Sequence, residues 1–355
     1  MVTRWELALL PALLAVAALL VVALLLCSWW HGRQAVRSER LEQTVKQLLT
    51  AWAERDPTQE ELDRLAALTA AERRVLLGCC IRALPGLEPE AEARVRDVLR
   101  RSTVLEREVA RLRHRSPAHR AEACRILGRL GQHEAVPLLV ERLRDPDAAV
   151  RREAIAALAD LRAVEALGGV ARALEATGEW GNLLAIMALV RMGPGSAPQI
   201  GALLESSGSV AMTKALLQVT GQLGVAADPS RVRALAAHSE LEIRVEAVRT
   251  LGSTAPDPES VAVCLTAMDD PEWPVRALAA WSLGRLNDER AIPRLERAMG
   301  DGAYWVRHHV AGALAELGEA GEAALGRGLG DANPFVRDMA AQALYMRSAT
   351  RGEAA

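Results

Sequence analysis

One phrase recurs along the chain and limits what it can fold into. Asp145-Pro146-Asp147-Ala148-Ala149-Val150-Arg151 is followed by Ala154, Leu158 and Leu161. The pattern returns as Asp270-Pro271 through Val275-Arg276 with Ala279, Leu283 and Leu286, and as Asp301 through Val306-Arg307 with Val310, Leu314 and Leu317. It returns again as Asp331 through Val336-Arg337 with Ala340 and Leu344. Ile243-Arg244 with Ala247 and Leu251 matches without the Asp, and Arg120 with Ala123, Leu127 and Leu130 matches upstream. From Arg151 to Arg244 is 93 residues, three periods of 31, so two worn copies belong at positions 182 and 213. Asn182 with Ala185, Leu189 and Met192, and Thr213 with Leu216, Thr220 and Leu223, fill them. The chain therefore carries eight copies, at steps of 30 to 32 residues.

Each copy contains two helical patterns. The second places apolar residues three and four apart, one face of a helix. The first is seen in Val136–Arg144, Val261–Met268 and Ala291–Met299. Asp and Pro between them are helix-start signals: Asp accepts from free N–H groups, and Pro lacks only an N–H that would be unpaired there. Gly128, Gly193, Gly224, Gly252, Gly284 and Gly318 are read as helix stops. The composition agrees: aromatics are 3% of 355 residues, and Ala, Leu, Arg and Glu dominate. One such pair cannot bury its own apolar stripe, so neighbours must stack. A formal net charge of −2 excludes a dedicated nucleic-acid binder, which carries an obvious basic face.

The phrase Asp-Pro-x-x-x-Val-Arg-x-x-Ala-x-x-Ala-Leu-(Gly)-x-Leu resembles HEAT repeats of the short bacterial kind found in phycobilisome lyase-like proteins. The resemblance covers about residues 115–347 and is weakest over 178–225. It implies an all-α, right-handed α-solenoid of about eight helix pairs, with an Arg–Asp ladder between neighbours that should fail at Asn182 and Thr213. Residues 31–114 show helical patterns at 37–53, 60–68, 70–83 and 90–114, expected to form a juxtamembrane helix and a diverged cap; residues 348–355 are expected to be a frayed tail.

Residues 1–30 point to a membrane anchor preceding the solenoid. Leu7 to Trp30 is a run of 24 residues without a charge, and a helix needs about 20 to cross a bilayer. Trp29 and Trp30 close it where indole rings prefer to sit. A cleaved signal would have a shorter apolar region, and Leu26 before Cys27 departs from the lipoprotein pattern. Arg33, Arg37, Arg40 and Lys46 outnumber Arg4 on the other flank. The expectation is a single-pass protein of the cell (inner) membrane with a cytoplasmic solenoid; an outward-facing solenoid stays open.

No catalytic or metal motif is present. The five cysteines, Cys27, Cys79, Cys80, Cys124 and Cys264, show no metal-ligand spacing and no disulfide framework. Deoxyhypusine hydroxylase resembles these repeats but uses several His-Glu pairs, whereas this chain has one, His133-Glu134. No cofactor or metal is expected. Function is placed on surfaces. The HEAT resemblance puts second helices on the concave side, with the fifth residue after each Arg facing inward: Arg125, Ala156, Met187, Gln218, Arg249, Trp281, Gly312 and Gln342. Neighbouring offsets add Leu183, Leu184, Arg285, His308, His309 and Met339. A second, aromatic set lies at the starts of second helices: Trp180, Trp273, Tyr304, Trp305 and Phe335. Trp and Arg are enriched at binding hot spots. The sequence thus suggests a membrane-anchored scaffold or adaptor for a protein partner, such as an accessory subunit of a membrane enzyme complex. The alternative is a lyase- or hydroxylase-type enzyme using the concave groove.

Overall fold

The computed structural model describes residues 42–178, 183–254 and 256–352. Among them are twenty α-helices, joined by turns and short 3-10 segments, and no strand. The chain divides into two compact units between Gln132 and His133.

The first unit contains α1 (42–54), α2 (Gln59–Ala66), α3 (Ala70–Ala83), α4 (Pro89–Arg101), α5 (Val104–Arg111) and α6 (Pro117–Arg129). Thr58 with Glu61, and Thr69 with Glu72, form capping boxes that fix the starts of α2 and α3. The stretch 90–114, read as one helix, is broken at Ser102-Thr103, where the Ser102 hydroxyl turns back to donate to the Leu99 carbonyl. Trp52, Leu76, Leu77, Cys80 and Leu99 form a core with almost no exposure.

The second unit is seven helix pairs: α7 (Val136–Arg142) with α8 (Ala148–Asp160), α9 (Leu167–Thr177) with α10 (Leu183–Arg191), α11 (Ala197–Glu205) with α12 (Val210–Leu223), and α13 (Pro229–Leu235) with α14 (Leu241–Ser253). Then come α15 (Pro258–Ala267) with α16 (Trp273–Leu286), α17 (Ile292–Ala298) with α18 (Tyr304–Glu316), and α19 (Gly318–Gly328) with α20 (Pro334–Gly352). The even-numbered helices pack in succession from α8 to α20. This is the stacking that the unburied stripes demanded. Leu139, Leu158, Leu167, Leu174 and Leu189 are fully buried in it, each worth about 1.5–3 kcal/mol of transfer free energy. Helix α20 runs on to Gly352, through most of the segment expected to fray.

The recurring arginine staples its own repeat. Arg120, Arg151, Arg244, Arg276, Arg307 and Arg337 each donate from Nη1 to the carbonyls six and five residues upstream, at 2.7–3.2 Å. Those carbonyls sit in the turn between the paired helices, where no backbone donor reaches them, and a guanidinium fork can serve two at once. The ladder between repeats is present where Arg244 meets Asp270 at 2.9 and 3.2 Å and Arg276 meets Asp301 at 2.8 and 3.0 Å. Arg307 instead lays its guanidinium 4.6 Å from the Phe335 ring centre. Asn182 lies outside the described residues; at the other expected failure, the Thr213 hydroxyl meets Ser207 Oγ at 2.6 Å.

Two expectations are corrected. Among the described residues no helix is long and apolar enough to cross a membrane. The reading of a single-pass membrane protein with a transmembrane helix, a cytoplasmic solenoid and membrane contact through residues 7–30 is set aside on that finding; residues 7–30 themselves lie outside the described residues. The glycines were also read too uniformly. Gly193, Gly224 and Gly318 do adopt positive φ at helix ends, but Gly128, Gly252 and Gly284 lie inside α6, α14 and α16. Gly252 and Gly284 are buried where successive second helices touch: a Cβ there would fall 2.7 Å from Ser282 Cα and 2.8 Å from Ala313 Cα.

Candidate functional site

The concave column expected from the repeat opens into a cleft on the last three second helices. It has a volume of about 590 Å³ and is lined by Trp281 of α16, His308, His309 and Gly312 of α18, and Met339, Gln342 and Met346 of α20. Gly312 makes the space. The same column carries Met187, Gln218, Arg249 and Trp281 in preceding repeats, while a Cβ at Gly312 would have no atom within 4 Å. Ala315 and Ala343 keep the floor low, and Glu316 and Arg347 stand at the rim. Trp281 is half-buried, with the Arg285 guanidinium 5.8 Å from its ring centre, within cation–π range.

The cleft and the aromatic edge are one surface at α18. Tyr304 and Trp305 lie 5.4 Å apart, Trp305 meets His308 edge-on at 5.8 Å, and His308 meets His309 at 5.6 Å. Successive aromatic groups therefore lead from the start of α18 into the pit beside Trp281. Arg307 sits between the Tyr304 and Phe335 rings, 5.9 and 4.6 Å from their centres, and joins Phe335 to the run. Trp305 and Phe335 are 53% and 56% exposed, too open to be core side chains of their neighbours' turns. Burial and the neighbouring His308 hold the His309 imidazole below its ordinary range, so it is neutral at pH 7 and able to donate one hydrogen bond and accept one.

Other expected positions stay apart. Leu183, Leu184 and Met187 are more than half exposed on α10, a separate apolar patch. Trp273 is exposed at the start of α16 but lines no part of the cleft. Trp180 lies outside the described residues. Met346 was missed, although it stands nine residues after Arg337, the offset that singles out Arg285. Among the described residues no group of three His, Cys, Asp or Glu could hold a metal ion. The cleft has no serine, threonine or cysteine in its lining. Its chemistry is apolar contact with two imidazoles, one carboxylate and guanidinium groups at the edge.

An array of stacked helix pairs is the architecture of the α-solenoids. The family model for HEAT repeats matches residues 105–190 and 229–315. The unmatched interval contains the copy with Thr213 in place of Arg. No curated protein matches the chain. Solved structures similar to it include a Kap121p mutant at 12% identity, with 86% of this chain and 41% of that one covered and a TM-score of 0.50. Human deoxyhypusine hydroxylase in complex with glycerol is 19% identical, covering 88% and 99%, with a TM-score of 0.30. The CpcE–CpcF complex of phycocyanin lyase from Nostoc is also 19% identical, covering 69% and 94%, with a TM-score of 0.32. At these identities the likeness concerns the fold alone.

Proposed function

We propose that the chain is a HEAT-repeat scaffold, not an enzyme, and that it holds a protein partner in the cleft of α16, α18 and α20. One observation carries this reading: the exposed run Tyr304–Trp305–His308 continues through half-buried His309 into a pit walled by Trp281 and emptied by Gly312. A monomeric surface scatters its large apolar residues singly; a contiguous rimmed patch marks a contact site. The pit suits an aliphatic or aromatic side chain of the partner. The imidazoles and Arg285 around it suit backbone carbonyls or a carboxylate beside that side chain.

The test compares full-length chains. Trp281→Ala removes the wall and Gly312→Leu fills the pit; Leu184→Ser alters the separate α10 patch. A partner retained by the unaltered chain and by Leu184→Ser, but lost from both cleft variants, supports the reading. A hot-spot residue is worth at least about 2 kcal/mol, so recovery should fall on the order of thirtyfold. Equal recovery by all four chains overturns it. Stoichiometric metal on the purified chain would favour a hydroxylase-type enzyme instead.

A further inference from the structure

The turn between paired helices has a second fixed contact. In four copies the Asp before the second helix accepts from the backbone N–H two residues on: Asp145 from Asp147, Asp270 from Glu272, Asp301 from Ala303 and Asp331 from Asn333, at 2.8–3.0 Å. Of the four copies without that Asp, two carry Ala176 and Ser207, and two carry histidine. His114 and His238 occupy its place, and each offers imidazole Nδ1 to the same N–H, of Ser116 and Glu240, at 3.0 Å. The substitution keeps the geometry and changes the chemistry. A carboxylate remains an acceptor throughout the neutral range. An imidazole accepts only while neutral, and its proton, once bound at Nδ1, points at the N–H it used to receive.

His238 also lies in the first copy after a break in the ladder between copies. Where Arg244 and Arg276 reach forward to Asp270 and Asp301, the preceding copy has Thr213, which bonds only within its own repeat, to Ser207 and the Ser209 carbonyl. The α12–α14 contact carries instead the exposed pair Lys214–Glu242, a 3.5 Å hydrogen bond from Gln218 to Glu246 and a buried 3.0 Å bond from the Thr250 hydroxyl to the Leu217 carbonyl. The charged groups around His238 are Arg233 on α13, Arg244 on α14, and Asp269 and Asp270 in the next turn, all lining one groove with it. They are engaged with one another or with neighbours: Arg233 with Asp257 and Glu259, Arg244 with Asp270, and Asp269 with Arg294. An imidazolium at His238 therefore meets two guanidiniums and no unengaged carboxylate in that groove.

We propose that His238 makes the junction of the fourth and fifth helix pairs a proton-operated joint, locked while the imidazole is neutral and loosened once it is charged. Loss of the Glu240 N–H bond releases the first turn of α14, and with it the carbonyls of His238 and Ser239 that Arg244 holds. The ladder from Arg244 to Asp270 then loses its anchor on one side. The turns built on Asp270, Asp301 and Asp331 have no such response.

Amide hydrogen exchange on the full chain, corrected for the intrinsic pH dependence of exchange, reads the joint directly. Between about pH 8 and pH 5, protection of residues 240–244 should fall about tenfold, the worth of one backbone hydrogen bond replaced by a repulsive contact. Protection of residues 272–276, behind Asp270, should stay constant. His238→Asp restores the carboxylate, and His238→Asn offers a non-titrating oxygen to the same N–H; either should flatten the response. Constant protection at 240–244 in the unaltered chain overturns the proposal, and so does a fall that persists in either variant.

Discussion

Two glycines on successive second helices make opposite predictions from the same substitution. Gly284 lies inside α16 and Gly312 inside α18, so Ala at either gains about 0.5–1 kcal/mol in helix propensity. At Gly312 the new methyl meets nothing within 4 Å, and the propensity gain is the whole effect. At Gly284 the methyl would lie 2.8 Å from Ala313 Cα and 2.9 Å from its Cβ. Neither atom can rotate away, so α16 and α18 must separate by several tenths of an ångström along a buried contact. Overpacking of that kind costs about 1–3 kcal/mol. Because backbone is involved the upper half applies, leaving Gly284→Ala less stable by about 1–2 kcal/mol after the propensity gain. At about 2–4 °C per kcal/mol for a unit of this size, thermal unfolding should move down several degrees for Gly284→Ala and up by a degree or more for Gly312→Ala. The assay is calorimetry of both full-length variants beside the unaltered chain. A shift of the same sign in both would refute the assignment of Gly284 as a close-approach residue.

The ladder and the thiols can be tested the same way. Arg276→Met removes two carbonyl bonds and the pair to Asp301, both partly buried, and should cost about 2–4 kcal/mol in urea unfolding, whereas Arg337→Met, whose exposed side chain loses the turn bonds, should cost about 1 kcal/mol. Burial disfavours the charged Asp301 carboxyl, but the Arg276 guanidinium and the Ala303 N–H outweigh it and hold that carboxyl below its ordinary range. Its contribution is therefore complete above about pH 4 and lost as the pH falls further, so the Arg276→Met deficit should shrink in acid titrations of stability. Burial pushes the Cys80 and Cys264 thiols up to about 12; a maleimide at pH 8 should leave both unlabelled in the folded chain and label them in urea.

The repeat was legible because one residue type does one job six times. An arginine that must reach two turn carbonyls has to stand five and six residues after them, so the phrase keeps its internal spacing each time the helix pair recurs. The same sequence hid the roles of its glycines, since a helix stop and a helix contact both ask for a missing side chain. Gly224 and Gly284 follow their anchor positions, 213 and 276, by eleven and eight residues; only the offset separates an end from an interface. The concave column was readable by counting, yet its cleft was not. It depends on what adjacent helices leave unfilled: the missing side chain of Gly312 between Trp281 and Met339. The histidines at 114 and 238 read as lapses in the motif, because an imidazole and a carboxylate share an acceptor geometry that residue names conceal.

The placement of the cleft at the last three second helices follows from the stacking contacts. In three successive copies the eighth residue after the anchor position meets the next second helix: Gly221 approaches Thr250, Gly252 approaches Ser282, and Gly284 approaches Ala313. In α18 the position is Ala315, and in α20 it is Tyr345, 73% exposed. A bulky ring thus stands at the position that Gly252 and Gly284 leave empty in earlier copies. Helix α20 carries Phe335, Tyr345 and Met346, all more than half exposed. Exposed apolar side chains are thus gathered on the helix that supplies Met339, Gln342 and Met346 to the cleft, where a partner of the proposed kind would meet them.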